Sequence, residues 1–191
     1  METNKKVAFL GYNGTQTSLI DQIRRLGFDA EVHEEPLTDL SPFERVVSFG
    51  YRHILKPAVI ATSRNPILNL HIAYLPYNRG AHPNFWSWVD GTPSGVTIHE
   101  IDAGIDTGPI VNQRQLHIEP EGLTFRETYE LLFNEIEALF VECASEILDG
   151  NYRITPQSGS GSYHRVDDLP EWMNSWDMRI TDAIMRYRNG G

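Results

Sequence analysis

Three polar side chains lie in segments that are otherwise apolar, and together they could carry out acid–base chemistry. Asn69 and His71 belong to the segment NLHIAYLP, and Asp106 belongs to the segment EIDAGIDTGPIV. Because side chains alternate between the two faces of a strand, Asn69 and His71 would project from the same side. Buried polar groups need partners, so the pair predicts either an active site or a hydrogen-bonded strand end.

Acyl transfer is the chemistry that suits Asn, His and Asp together. A neutral His accepts a proton near pH 7, and a carboxylate orients it and stabilises its charged form. An Asn amide donates to an oxygen that gains negative charge in a tetrahedral intermediate. His99 could assist, although a structural histidine is the favoured interpretation. A zinc site from His71, His99 and Asp106 is a minor alternative, and we expect no metal.

Composition restricts the class of protein. The chain has 191 residues, of which 40% are hydrophobic and 22% charged, as is usual for one soluble globular domain. No apolar run is long enough for a membrane helix and the polar start does not resemble a secretory signal, so we expect a cytoplasmic protein that contacts no membrane. The formal charge of −10 argues against a nucleic-acid partner. Cys143 is the only cysteine, which excludes an intrachain disulfide.

Short apolar runs alternate with helical patterns through the first 150 residues. Strands are predicted at residues 5–11, 28–33, 45–49, 66–71, 95–101 and 110–118, and helices at residues 18–26, 57–62, 84–89 and 124–148. This order predicts an α/β fold, a Rossmann-like open, mostly parallel twisted sheet with helices on both faces. Asn69 and His71 would then lie at the carboxyl ends of strands, where such sheets bind ligands.

The turn GYNGT, which follows the first predicted strand, could present backbone N–H groups to an anion. Gly11 ends the strand, and Asn13 and Thr15 add side-chain donors before the next helix. The pattern is neither a dinucleotide fingerprint nor a P-loop. A phosphate contact and a plain strand-to-helix connection therefore both remain open.

The spacing Asn-x-His, then Leu-Pro, then Asp-x-Gly with its Asp 35 residues after the His, resembles the folate-dependent formyltransferase family. That family includes the transferases of glycinamide ribonucleotide, initiator methionyl-tRNA and amino sugars. The similarity runs from the first predicted strand to about residue 150, and SGSGSYHRVDDL is similar to a Gly-rich segment that follows the core of several members. The chain departs from the family at Ile72-Ala73, where members often have Pro-Ser.

The resemblance implies a catalytic domain over residues 1–150, and we expect residues 151–191 to form a C-terminal extension that packs on it, with a short terminal helix from about residue 177 to residue 188. It also implies 10-formyltetrahydrofolate as the formyl donor. Asn69 would polarise the formyl oxygen, His71 would act in proton transfer, and Asp106 would hold His71 and a water. The residues implied in donor binding are Tyr51, Arg52, His53, Ile54 and Leu55 of the segment GYRHIL, with Asp102, Ala103 and Gly104 opposite them.

The segment LPYNRGAHPNFWSWVDGTPSGVTIH is similar to small formyltransferases that act on nucleotide-linked 4-amino sugars and to formylation domains of peptide synthetases. We therefore expect transfer to a primary amine of a small molecule, foremost a nucleotide-linked amino sugar, by a protein that could form a homodimer. The alternatives are a carrier-bound amino acid as acceptor, hydrolysis of the donor, and a noncatalytic folate- or nucleotide-binding module. The residues expected on the substrate side are Gly11, Asn13, Thr15, Ala73, Tyr74, Arg79 and His82.

Overall fold

A computed structural model describes residues 5–190, and its secondary structure follows the predicted alternation. Within these residues the strands are β1 (Lys6–Gly11), β2 (Asp29–His33), β3 (Arg45–Phe49), β4 (Ile67–His71), β5 (Arg79–Gly80), β6 (Ser94–Glu100), β7 (Ile110–Leu116) and β8 (Tyr163–His164). The α-helices are α1 (Leu19–Arg25), α2 (Pro57–Ile60), α3 (Pro83–Val89), α4 (Phe125–Asp149) and α5 (Ile180–Arg188). The ends of the predicted elements shift by three residues at most.

Six strands form one open sheet in the order β2-β1-β3-β4-β6-β7. β2, β1, β3 and β4 are parallel, whereas β6 pairs antiparallel with both β4 and β7. The predicted mostly parallel α/β sheet is thus confirmed, with antiparallel strands at one side. The reversed direction of β6 sets His99 directly opposite Asn69 in the register, so the two side chains share one face of the sheet.

The side chains of β1 show how the core is divided between the two faces of the sheet. Val7 and Phe9 belong to a buried cluster that includes residues of α1 and α4. Ala8 and Leu10 belong to a second cluster on the other face, against which residues of α2 pack. Helices therefore cover both faces, and a central parallel strand that is buried on both sides has no polar positions.

α4 is the longest helix, and both of its ends have the predicted signals. The hydroxyl of Thr124 accepts the backbone N–H of Glu127, and the Glu127 carboxylate accepts the N–H of Thr124, which completes a capping box. Gly150 follows the helix with φ at 81°, a left-handed conformation that favours glycine. Among the helices of residues 5–190, none combines the length and the apolar character that crossing a membrane requires.

The C-terminal part of the chain packs on the rest of the molecule. β8 pairs in parallel with β5, and Ile180 and Ala183 of α5 are buried in a cluster with Phe85 and Phe125. α5 begins at Ile180, three residues later than predicted, because the backbone before it makes hydrogen bonds to another helix. The carbonyls of residues 176 and 178 accept the N–H groups of residues 126 and 125 at the start of α4.

Replacing Ile180 with Ala tests whether this C-terminal part folds as one unit with the sheet. Ile180 is fully buried, so we expect the free energy of unfolding to fall by about 3 kcal/mol in a single urea transition. Met185 lies on the same helix with 58% of its surface exposed, and Met185→Ala should change the value by less than about 0.5 kcal/mol. A separate early transition for α5 would contradict the prediction.

Candidate active site

The three residues Asn69, His71 and Asp106 meet at the carboxyl end of β4. Asn69 and His71 lie on that strand, and Asp106 lies in the loop between β6 and β7. Asn69 Nδ2 is 3.4 Å from Asp106 Oδ1, and His71 Nε2 is 3.6 Å from Asp106 Oδ2. The structure thus brings the predicted triad into one polar cluster, and the role of each member in catalysis stays a prediction.

His71 faces two acceptors through the same ring nitrogen. Its Nε2 is 3.3 Å from the carbonyl oxygen of Asn78, in addition to the nearby carboxylate of Asp106. Because a carbonyl oxygen only accepts hydrogen bonds, this arrangement favours the tautomer with the proton on Nε2. Nδ1 then holds the lone pair, and it is the nitrogen that can take a proton from a substrate.

His99 is buried beside the triad and has partners at both ring nitrogens. Nδ1 is 2.8 Å from the carbonyl oxygen of Glu100, so it holds the ring proton and donates it. Nε2 lies 3.1 Å from Asn69 Nδ2 and 3.4 Å from Asp106 Oδ1. His99 therefore has the satisfied structural environment that the sequence favours, and it also orients the Asn69 amide, which the sequence does not show.

The loop that carries Asp106 is held in an unusual backbone conformation. Asp106 has φ at 52°, in the left-handed region that few residues other than glycine adopt. At Gly108 a Cβ atom would lie 1.9 Å from the carbonyl oxygen of Glu100. Only glycine allows this close approach to the end of β6, which explains the glycine of the Asp-x-Gly pattern.

The charges around Asp106 keep its carboxyl ionised. Burial on its own raises the pKa of this carboxyl. The charge of His71 in its protonated form, the hydrogen bond and charge of His99 in its protonated form, and the N–H of Gly80 at 2.9 Å outweigh burial and bring the pKa of Asp106 well below its ordinary value. Asp106 is therefore an anion that can stabilise positive charge forming on His71.

A cavity of about 210 Å³, here called the loop cavity, lies between residues 51–55 and residues 101–106 and reaches Asn69. It is lined by seven of the eight residues that the resemblance implies in donor binding: Tyr51, His53, Ile54, Leu55, Asp102, Ala103 and Gly104. The eighth, Arg52, lines a different cavity. Arg52 is thus the one member of the predicted set that does not line the loop cavity.

Two further cavities lie near the triad. The inner cavity, of about 260 Å³, is lined by residues that include Asn69, His71 and Asp106. It shares lining residues, among them Tyr12 and Tyr129, with the aromatic cleft, of about 480 Å³. The hydroxyl oxygens of these two tyrosines are 2.7 Å apart. The other residues that line the aromatic cleft are Arg52, Ile72, His82, Pro83, Asn84, Phe85, Phe125, Arg126 and Trp176.

Most of the residues expected on the substrate side lie elsewhere. Among the seven, only His82 lines the aromatic cleft, and the other six, Gly11, Asn13, Thr15, Ala73, Tyr74 and Arg79, line none of the three cavities. Ala73 is buried and its carbonyl accepts the hydroxyl of Thr97. Arg79 donates to backbone carbonyls of the C-terminal segment. Ala73 and Arg79 are thus close to His71 and His82 in sequence, but they line none of the three cavities.

The GYNGT turn uses its polar groups internally. Asn13 Oδ1 accepts the backbone N–H and the hydroxyl of Thr15, and Asn13 Nδ2 donates to Glu34. The carboxylate of Glu137 on α4 accepts the backbone N–H of Ser18 just before α1. The carboxylate of Glu137 thus lies at the start of α1, where the sequence left a phosphate contact open. The geometry agrees with the other alternative, a plain strand-to-helix connection.

No group of three or more His, Cys, Asp or Glu side chains in residues 5–190 has an arrangement that could hold a metal ion. The zinc alternative for His71, His99 and Asp106 therefore has no geometric support. His71 and His99 instead approach the same carboxylate from different strands, with ring centroids 6.2 Å apart.

The fold and the site together define an α/β protein whose polar cluster lies between two ligand-sized cavities at the carboxyl end of the sheet. Residues 14–142, which are 129 of the 191, match the family model described as formyl transferase. The chain belongs to the formyl transferase family. The resemblance seen in the Asn-x-His and Asp-x-Gly motifs is thereby confirmed.

Two curated relatives illustrate the range of this family. The chain is 32% identical over 141 residues to the dTDP-4-amino-4,6-dideoxyglucose formyltransferase of Mycobacterium tuberculosis, a match that covers 74% of this chain and 59% of the relative. It is 32% identical over 149 residues to the methionyl-tRNA formyltransferase of Thermodesulfovibrio yellowstonii, covering 73% of this chain and 46% of the relative. The chain therefore spans less than two thirds of the length of either relative.

A solved structure matches nearly the whole chain. It is the crystal structure of the formyltransferase PseJ from Anoxybacillus kamchatkensis, in complex with UDP-4,6-dideoxy-4-formamido-L-AltNAc and tetrahydrofolate. The TM-score is 0.86 and the identity is 35%, over 94% of this chain and 97% of that one. The similarity thus includes the C-terminal part of the chain as well as the sheet.

The titration of Asp106 tests the electrostatics of the cluster. In the wild type, the carboxyl ¹³C shift of Asp106 should show an ionised group down to about pH 3, below the ordinary aspartate pKa of about 3.9. His71→Ala removes the largest of the contributions that lower the pKa, so the pKa of Asp106 should rise. His117 is exposed on the chain after β7, and His117→Ala should leave the titration unchanged. An Asp106 pKa that does not respond to His71→Ala would contradict the prediction.

Proposed function

We propose that this protein transfers a formyl group from 10-formyltetrahydrofolate to the primary amine of a nucleotide-linked amino sugar. One observation carries the proposal: Asn69 and Asp106 line both the loop cavity and the inner cavity. A donor in the loop cavity and an acceptor in the inner cavity would therefore meet at the same side chains. A transfer reaction between two bound molecules needs such a shared wall.

The loop cavity suits the flat, polar ring system of a folate. Ile54, Leu55, Ile101 and Ile105 give it apolar walls, and the segment from residue 102 to residue 106 adds backbone polar groups along one side. Small-molecule sites commonly combine apolar walls with a few backbone groups that fix the orientation of the ligand. Bound there, the donor would present its formyl group to Asn69.

The aromatic cleft suits the nucleotide part of the acceptor. Trp176 and His82 lie 5.6 Å apart at a tilt of 34° and offer flat surfaces on which a base can stack. Arg52 lines the same cleft, and in the part of the chain that the structure describes its guanidinium makes no ion pair. An unpaired arginine beside aromatic rings fits a diphosphate next to a base.

The arrangement of the triad gives each member a task in the proposed reaction. The amine nitrogen bonds to the formyl carbon, and the bond from that carbon to N10 of the folate breaks. Asn69 donates to the formyl oxygen as negative charge develops on it. His71 accepts the proton that the amine loses and returns it to N10, so the protons balance, and Asp106 stabilises the imidazolium in between.

The similar proteins support the same acceptor. The mycobacterial relative has a name that specifies a dTDP-linked 4-amino sugar, and the PseJ structure contains a UDP-linked 4-formamido sugar with tetrahydrofolate. The second of these is a product pair for the reaction proposed here. The match to PseJ covers 94% of this chain and so extends into its C-terminal part.

Replacing Asn69 or His71 with Ala tests the catalytic assignment. With 10-formyltetrahydrofolate and dTDP-4-amino-4,6-dideoxyglucose, either variant should release tetrahydrofolate at least about 100-fold more slowly than the wild type, because a donor or the proton acceptor is lost. Asn151→Ala and His117→Ala, at exposed positions, are matched controls that should keep the wild-type rate. Full activity in either triad variant would refute the assignment. An undiminished rate without any amine would instead indicate hydrolysis, and tight folate binding without turnover would indicate a binding module.

Replacing Trp176 with Ala tests the assignment of the cleft. Loss of one stacked aromatic should raise KM for the nucleotide-linked amine about tenfold, while KM for the folate donor stays the same. Trp176→Phe keeps an aromatic face and is the matched control, with a smaller rise in KM. Steady-state kinetics with each substrate varied in turn make the measurement. An equal effect on both KM values would contradict the assignment of the nucleotide to this cleft.

A further inference from the structure

Gln157 of the C-terminal segment holds the loop that carries Asp106. Its side-chain Nε2 donates to the carbonyl oxygens of Asp106 and Gly108, each at 2.8 Å. The first carbonyl belongs to Asp106 itself, which has the left-handed backbone conformation, and the second lies two residues further on. One amide group thus joins both carbonyls of the loop and uses both of its N–H donors to do so.

The same segment also supports the Asp106 carboxylate from a second direction. β8 pairs with β5 in the register Tyr163 to Arg79 and His164 to Gly80. The N–H of Gly80 then donates to Asp106 Oδ2 at 2.9 Å. A Cβ atom on Gly80 would lie 2.3 Å from the carbonyl oxygen of His164, so β8 packs directly against the residue that donates to the carboxylate.

A third contact supports His71. The hydroxyl of Ser162 accepts the backbone N–H of Asn78 at 2.8 Å and donates to Asn78 Oδ1 at 3.2 Å. The carbonyl oxygen of the same Asn78 is the one that faces His71 Nε2. Asn78 has φ at 57° and is buried, so a conformation that is unfavourable in isolation is held by its neighbours.

We propose that Gln157 and Ser162 of the C-terminal segment are positioning residues of the active site: Gln157 holds Asp106, and Ser162 holds the carbonyl that orients His71. This inference rests on the proposed function for its effect on catalysis, but the positioning of Asp106 can be measured without substrates. None of these side chains lines the loop cavity, the inner cavity or the aromatic cleft. Their effect therefore acts through Asp106 and His71 and not through ligand contacts.

The test uses Gln157→Met in the full chain, because methionine keeps the length of the side chain and removes both donors. With 10-formyltetrahydrofolate and dTDP-4-amino-4,6-dideoxyglucose, kcat should fall about 10- to 100-fold, since a small displacement of a catalytic group has effects of this size. KM for each substrate should stay within about twofold of the wild-type value, because uniform binding is unchanged. Ser158→Ala, at the exposed neighbouring position, is the control and should behave as the wild type.

The second measurement is the ¹³C titration of the Asp106 carboxyl in the free protein. The groups that face this carboxyl are His71 of β4, Asn69 beside it, His99 of β6 and the N–H of Gly80 in β5. If Gln157→Met lets the turn relax, Asp106 moves away from these groups and its pKa rises. A merely structural role would lower the unfolding midpoint and leave both kcat and this titration unchanged.

Ser162→Ala provides a second variant should Gln157→Met fold poorly. It removes only the hydroxyl that holds Asn78, and kcat should fall about tenfold with both KM values preserved. Wild-type kcat in folded Gln157→Met and Ser162→Ala protein would overturn the proposal. If the wild type transfers no formyl group to any amine, the proposed function fails, and the Asp106 titration in Gln157→Met still decides whether Gln157 positions the carboxylate.

Discussion

The carboxylate of Asp106 has only 14% of its side-chain surface exposed, so it needs compensating partners, and the surrounding site supplies them. Removing an ion of this kind from water costs several kcal/mol unless charges and hydrogen bonds compensate. Here the partners come from four separate pieces of chain: His71 of β4, His99 of β6, the N–H of Gly80 in β5, and the Asn69 amide. The sheet, the loop after β6 and the C-terminal segment must all be in place before the charge is compensated.

The antiparallel direction of β6 is the feature of the fold that makes this convergence possible. In the register of β4 with β6, Asn69 faces His99 across the strand pair. The chain leaves β6 at Glu100 and returns at Ile110 for β7, and the connection between them closes over the carboxyl end of β4. A parallel strand at this place would need a long crossover before it could bring another residue to the same end of the sheet. The hairpin supplies Asp106 within six residues of Glu100.

Much of this arrangement can be predicted from sequence. The parts that cannot be predicted all depend on very short strands or on contacts between residues that are distant in sequence. The NLH pair and the Asp-x-Gly loop follow from strand periodicity and from the position of a glycine, and residues 51–55 and 102–104 form the predicted loop cavity except for Arg52. β5 and β8 have two residues each, too few for a periodic pattern. Gln157 lies 51 residues from Asp106, and only the folded chain shows that the two meet. The aromatic cleft, proposed here for the acceptor, does not follow from the sequence because its walls come from Tyr12, Arg52, Tyr129 and Trp176, which are distant in sequence.

The ion pair of Arg126 with Asp177, at 2.5 Å, joins the start of α4 to the C-terminal segment. Asp177 is the neighbour of Trp176, and both Trp176 and Arg126 line the aromatic cleft, so the C-terminal segment supplies one of its walls. During synthesis the residues of the sheet and of the loop cavity emerge before those of the C-terminal segment. The segment that holds Asp106 and the residue that completes the cleft leave the ribosome after the strands of the sheet. A nascent chain would therefore contain every residue of the loop cavity, proposed here for the donor, before the aromatic cleft proposed for the acceptor is complete.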